Sequence, residues 1–395
     1  MRAEVGLLSR NILFRGDPET SATNQYGAHI MLHAGGEKPV IGRIENIELT
    51  DVGQAFKLGR YPIHFHMSGN VQGSYIRNNA IHQTYNRGVT IHGVYYLAIQ
   101  NNVIYNSMGH SVFIEDAIET NNLIEGNLVV DTRRSWSLLN TDQTPASFWI
   151  THPDNVIRGN RAAGSDRYGY WYDLQVHPTG PSADKNVCPE NSKIGEFSNN
   201  VAHSNGRYGL RIFHNLIPRV DPCRPMDYET NPPIVAQFKN LVSYKNGRNG
   251  AIAERVGAVQ FHNFKTADNK LAGMEFSLTE DIEDGWAKIV DGLVVGRSEN
   301  RDDELDDLEV GPHGIITPRT ENFSIEGTAF YNFDFWADGA ALGTCSHCFH
   351  GAATDSGART VTVKGLSFDR SVPKKIRYQF PFRAIFYDLD GSLTG

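Results

Sequence analysis

No run of apolar residues in the 395-residue chain approaches the roughly 20 that a membrane-crossing helix needs. Clustered positive charge is missing too. The chain has 37 Lys and Arg against 45 Asp and Glu, a formal net charge of −8. A phosphate backbone calls for concentrated positive charge, so this balance argues against a nucleic-acid partner. Cysteine is scarce: Cys188, Cys223, Cys345 and Cys348 are the whole supply. The second C-x-x-C pair of a zinc ribbon is absent. The flanks of Cys345 and Cys348 are loop-like, unlike the βαβ setting of a thioredoxin-like redox site. Two disulfides, 188–223 and 345–348, are the expected reading, and they imply an oxidising compartment. The opening MRAEVGLLSRN has a charge at its fourth residue and no apolar core, so it does not read as a signal peptide. Any export signal or membrane anchor is expected outside this segment. Nucleophile-elbow, phosphate-loop, H-E-x-x-H and dinucleotide motifs are all missing. The acidic stretch 299–312 lacks the D-x-D-x-D-G spacing of an EF-hand and reads as a solvated loop.

Helical periodicity is nearly absent as well. What is present is self-similarity. Asn79-Ala80-Ile81 leads to Asn86, Gly88 and the strand-like VTIH. Asn102-Val103-Ile104-Tyr105-Asn106 leads to Gly109 and SVFIED. Asn200-Val201-Ala202 leads to Gly209 and LRIF, and Asn240-Leu241-Val242 to Gly250 and AIAE. Gly88 and Gly109 are 21 residues apart, Gly250 and Gly273 are 23 apart, and the steps 169–209 and 209–250 are 40 and 41. Short strands recurring at about two dozen residues, without a leucine frame, predict an all-β, right-handed parallel β-helix. One solenoid of roughly 22-residue coils is expected over 1–395, with an insertion at 176–235 and the acidic loop at 299–312. Asn at the turns tolerates left-handed dihedrals and can stack its amide on the Asn of the next coil.

Stacking puts equivalent positions above one another. Ile63-His64-Phe65-His66, Val89-Thr90-Ile91-His92 and Val112-Phe113-Ile114-Glu115 fall in one frame. His66, His92 and Glu115 then form a column, and period-2 alternation adds His64 to the same face. Asp116 follows at the strand end. His64, His66, His92 and Glu115 could coordinate a divalent metal, zinc rather than calcium, because imidazole suits zinc and calcium wants more oxygens. The same group could do acid–base work on a sugar, with Glu115 or Asp116 as acid and His92 as partner. The alternative is a solvated ladder in which a His pairs with a Glu one coil away. Arg60, Tyr61, His110, Trp149 and Trp171 are the candidate glycan contacts, although aromatics on alternate sides also serve as core. Asn322-Phe323-Ser324 is a glycosylation sequon.

The stretches EVGLLSRNI (4–12), GRYPIHFHMSG (59–69), IHQTYNRGVTIHG (81–93), GHSVFIEDAIE (109–119), ASFWITHPDN (146–155), AAGSDRYGYWY (162–172) and GEFSNNVAHSNGRYGLRIF (195–213) resemble the β-helix region of the fibrocystin-like proteins. The cell-migration-inducing and transmembrane hyaluronidases share that region. The end of the chain, 343–395, resembles the fibrocystin-L branch more closely. The resemblance implies a segment of a larger extracellular, membrane-anchored protein. Its fibrocystin branch implies a cell-surface or ciliary coat scaffold that presents a polar ladder to glycans or partner proteins, with self-association open through unpaired coil ends. Its hyaluronidase branch implies glycan depolymerisation, and His110 looks like that branch's version. The resemblance also places the residues implicated in cleavage largely upstream of this segment.

Overall fold

The protein is described by a computed structural model covering residues 3–34, 38, 40–137, 140–280, 287–300, 312–336, 339–344, 359–378 and 384–395. Two compact units emerge, residues 1–189 with 194–201, and residues 190–193 with 202–395. In the first, every coil contributes three short strands, and equivalent strands pair in parallel, so that this unit supplies six strands to each of three sheets. One sheet runs Ile30–His33, Ile63–Asn70, Val89–Tyr95, Val112–Ile114, Ala146–Ile150 and Tyr168–Asp173 in that order. The second unit repeats the plan, its coils again contributing one strand to each of three parallel sheets. This is the right-handed parallel β-helix that the repeats predict.

Stacked inward side chains hold each unit together. Ile76, Ile99, Ile124 and Ile157 lie in register on successive strands and are fully buried or nearly so. Leu49, Ile81, Ile104 and Val129 form a second column. Each such side chain contributes about 2 kcal/mol of burial. In the second unit Phe238 stacks on Phe261 at 5.0 Å.

Asparagine ladders run beside these columns. In the first unit Asn79, Asn102, Asn127, Asn160 and Asn200 pass amide hydrogen bonds from coil to coil at 2.9–3.2 Å. Steps of 23, 25, 33 and 40 residues separate them. The two long steps hold the loops 134–145 and 174–195, which interrupt the coil without moving the ladder. Asn205, Asn246 and Asn269 do the same in the second unit. The repeat glycines answer to close approach: a Cβ on Gly88 would lie 2.4 Å from the Ser111 carbonyl oxygen of the next coil.

Cys188 and Cys223 are both disulfide-bonded. Cys345 and Cys348, and residues 301–311 of the acidic loop, lie outside the described residues. The expected insertion 176–235 is corrected. Strands Glu196–Ser198, Val201–His203 and Tyr208–Phe213 occupy its middle, so it is two loops around a coil. Its prolines and cysteines belong to the loops and mask the coil between them. Asn322, half-buried with φ +62°, turns into the strand Phe323–Glu326, where Ser324 is buried.

Candidate functional site

Three neighbouring strands of the first unit build the site. His64 and His66 point outward from Ile63–Asn70, while Ile63 and Phe65 point into the core. His66 pairs with His92 in the next coil, and His64 with Thr90, which pairs in turn with Phe113. Glu115 continues the row, its amide donating to the Ile91 carbonyl at 3.0 Å. The expected column of His64, His66, His92 and Glu115 is therefore assembled on one face.

The contacts are close. His66 Nδ1 lies 3.0 Å from His92 Nδ1. Glu115 Oε2 lies 3.3 Å from His92 Nδ1 and 4.0 Å from His64 Nε2. His92 Nε2 bonds Asp116 Oδ2 at 2.8 Å, and Asp116 also accepts from the Ser182 amide. His64 Nδ1 donates to the Gly59 carbonyl at 3.0 Å. Beneath them Arg87, fully buried, pairs with Asp142 at 3.2 Å, donates to the Tyr61 hydroxyl at 3.1 Å and lies 3.8 Å from Glu115 Oε1. Tyr61 in turn donates to Glu115 Oε1 at 3.4 Å. Three buried polar atoms here lack a hydrogen-bond partner: His64 Nε2, Thr90 Oγ1 and Glu115 Oε2.

Burial dominates the electrostatics. It lowers His64 to about 3 and also lowers His66, so both rings are neutral at physiological pH. Burial pulls His92 the same way, but the Asp116 hydrogen bond and the nearby carboxylates outweigh it and raise this ring. Burial raises Glu115 against the pull of Arg87 and His92, and raises Glu119 to about 7. Asp116 is held low, because His92 and Ser182 outweigh its burial.

The expected glycan platform is corrected. Tyr61, His110, Trp149 and Trp171 are buried, so none offers an open ring face. Trp149 and Trp171 pack edge-on at 4.5 Å, and His110 lies 4.2 Å from Trp149. The short 3₁₀ turn Asn140–Gln143 explains part of this. It brings Asp142 to His110 at 3.6 Å and to Arg87 at 3.2 Å, so this turn packs against the outer face. Burial accordingly lowers His110 to about 3. Arg60 alone among these candidates is exposed. Residues the sequence did not single out are Arg87, Asp142, Glu119 and Ser182. Arg87 sits in the repeat next to Gly88, but nothing in the sequence marks it as buried.

A separate buried imidazole yields a pH prediction. His152 Nδ1 accepts from the Asp154 amide at 3.1 Å, and burial lowers this ring to about 4. The unfolded ring titrates near 6.5, so the unfolded state binds the proton first as pH falls. Stability from the neutral ring is full above pH 6.5 and is lost between about 6.5 and 4, roughly 2 kcal/mol of it by pH 5. Chemical denaturation at pH 7 and pH 5 should show a smaller acid loss in His152→Gln than in wild type. Equal losses would refute the assignment.

Fold and cluster together define a parallel β-helix with a histidine–carboxylate knot on the outer face of one sheet. Residues 25–210 match the family model described as CEMIP beta-helix. Over its whole length the chain is 38% identical to fibrocystin-L of Mus musculus, covering 10% of that protein. Over 84% of the chain it is 31% identical to the cell surface hyaluronidase CEMIP2 of Homo sapiens, covering 29% of it. Over the same share it is 32% identical to the human cell migration-inducing and hyaluronan-binding protein, again covering 29%. The chain is a β-helix segment of this fibrocystin-L-like and CEMIP-like family. It spans about a tenth of the length of the fibrocystin-L relatives.

Proposed function

We propose that the chain is an extracellular, cell-surface β-helix module that binds an acidic glycan polymer of the hyaluronan class as a scaffold. The carrying observation is the loop 54–60. Phe56 and Leu58 are 66% and 67% exposed there, and Lys57 and Arg60 are exposed beside them. The same loop supplies the Gly59 carbonyl that holds His64. An aromatic face stacks on a sugar ring, and two cations suit a uronic-acid carboxylate. Similarity to a hyaluronan-binding protein over 84% of the chain supports the ligand class. Disulfide-bonded cysteines support the compartment.

A second reading, depolymerisation of the hyaluronidase type, is favoured by one observation: burial holds the Glu115 carboxyl up, as a general acid requires. Against it, Glu115 and Asp116 are tied to Tyr61 and His92. One experiment separates the two. Fluorescent hyaluronan is titrated with the 395-residue chain, and the polymer is then sized on a gel. Saturable binding that falls at least tenfold in a Lys57→Ala/Arg60→Ala variant, with polymer length unchanged, supports the scaffold. Shortening that disappears in Glu115→Gln supports the enzyme instead. Absence of binding overturns the proposal.

A further inference from the structure

We infer that His64, His66, His92 and Glu115 form a tetrahedral site for zinc that clips three successive coils together. The inference does not depend on the glycan reading.

Its basis is where the lone pairs point. The Gly59 carbonyl can only accept, so His64 carries its proton on Nδ1, and Nε2 is a bare lone pair. That Nε2 is buried with no hydrogen-bond partner. The carboxylate of Asp116 accepts from His92 Nε2, so in the neutral ring Nδ1 is bare as well. Glu115 Oε2, also without a hydrogen-bond partner, turns toward both rings. His66 Nδ1 faces the same point. With His66 protonated on Nε2, its Nδ1 adds a lone pair beside them: the three imidazole nitrogens gather within 4.8 Å, Glu115 Oε2 lies 3.3 and 4.0 Å from two of them, and no single donor serves all four atoms.

A proton on His92 Nδ1 would satisfy Glu115, but it would leave His64 Nε2 orphaned, whereas a cation serves all four atoms. The spacings fit one. Metal–ligand bonds near 2.0–2.1 Å in a tetrahedron put ligand atoms about 3.3 Å apart. The observed separations are 3.0, 3.3 and 4.0 Å, and the three imidazole nitrogens lie within 4.8 Å of one another. Three imidazoles and one carboxylate suit zinc, and the single carboxylate oxygen is far short of a calcium shell.

The surroundings match what metal-bound histidine requires. Asp116 on His92 and the Gly59 carbonyl on His64 fix tautomer and ring orientation. Tyr61 holds the other oxygen of Glu115. His66 is only partly buried, which leaves a way in for the ion.

The test uses the 395-residue chain, stripped with a chelator, dialysed and titrated with zinc against a competing chromophoric chelator. Zinc should bind one per chain, and cobalt in its place should give the intense visible bands of a tetrahedral complex. His66→Ala, a partly exposed position, should keep the wild-type circular dichroism spectrum and bind zinc at least 100-fold more weakly. His64→Gln and Glu115→Gln should also lose the cobalt bands. A chain that takes up no stoichiometric zinc or cobalt overturns the site. So does undiminished binding in a folded His66→Ala variant, which would place the metal elsewhere.

Discussion

Replacing Asn102 by alanine should cost the first unit about 4 kcal/mol, whereas replacing its neighbour Asn101 by glycine should cost well under 1. The two residues share a name and do different work. Asn101 sits at φ +53°, a backbone shape that glycine adopts freely. Asn102 is fully enclosed, and both ends of its amide are used. Its Oδ1 accepts from the Asn79 amide and the Asn79 side chain at 3.0 Å each, and its Nδ2 donates to the Ile76 carbonyl and to Asn127 Oδ1 at 2.9 Å. Alanine orphans the Asn79 backbone N–H, the Asn79 side-chain N–H and the Ile76 carbonyl in a place water does not reach. At about 1–3 kcal/mol for each orphaned buried group, a loss near 4 is the lower part of the range. For a unit of this size the midpoint should fall by roughly 10 °C. Thermal unfolding followed by far-ultraviolet circular dichroism measures both variants. Equal losses in the two would refute the ladder as the source of stability.

That contrast also shows why so much of the fold is legible from the chain alone. A coil stacked on its twin must repeat any residue with a duty toward its neighbour, so the duty surfaces as a period. Asn79 and Asn102 recur because each amide hands a hydrogen bond to the asparagine of the next coil, and Asn200 because it accepts one from Asn160. Gly88 recurs as Gly250 because the next carbonyl passes within 2.5 Å of where a Cβ would sit. His66, His92 and Glu115 could be aligned for the same reason: the glycines fix the frame, and alternation fixes the face. Trp149 and Trp171 lie in register with Phe113 on the outward row. Their burial was not legible, because outward here does not mean exposed. The loop that brings Asp142 onto this face occurs once, and a feature that occurs once leaves no period to read. The burial of Arg87 is illegible on the same ground, since its partner Asp142 belongs to that loop.

Arg87 is consequently where the largest single loss is expected. Its guanidinium lies 3.6 Å from the centre of the Phe113 ring, meets Asp142 with two nitrogens at 3.3 and 3.2 Å, and reaches the Tyr61 hydroxyl. Burial opposes the charge, but Asp142, Tyr61 and Glu115 outweigh it and hold the group protonated. Its charge in turn overcomes the burial of Asp142 and keeps that carboxylate ionised. Methionine in its place removes the cation and leaves Asp142 charged in a dry setting, a loss of about 3–5 kcal/mol. Lysine keeps the charge without the two-pronged geometry, so Arg87→Lys should fall between. If the cost comes from the stranded carboxylate, Arg87→Met/Asp142→Leu should recover much of it, because a packed apolar pair needs no counter-charge. Denaturant unfolding of the three variants gives the energies, and amide exchange across 134–145 reports whether the loop lifts from the sheet. A fall of less than 1 kcal/mol in Arg87→Met, or no recovery in the double variant, would mean that the loop is held by something other than this pair.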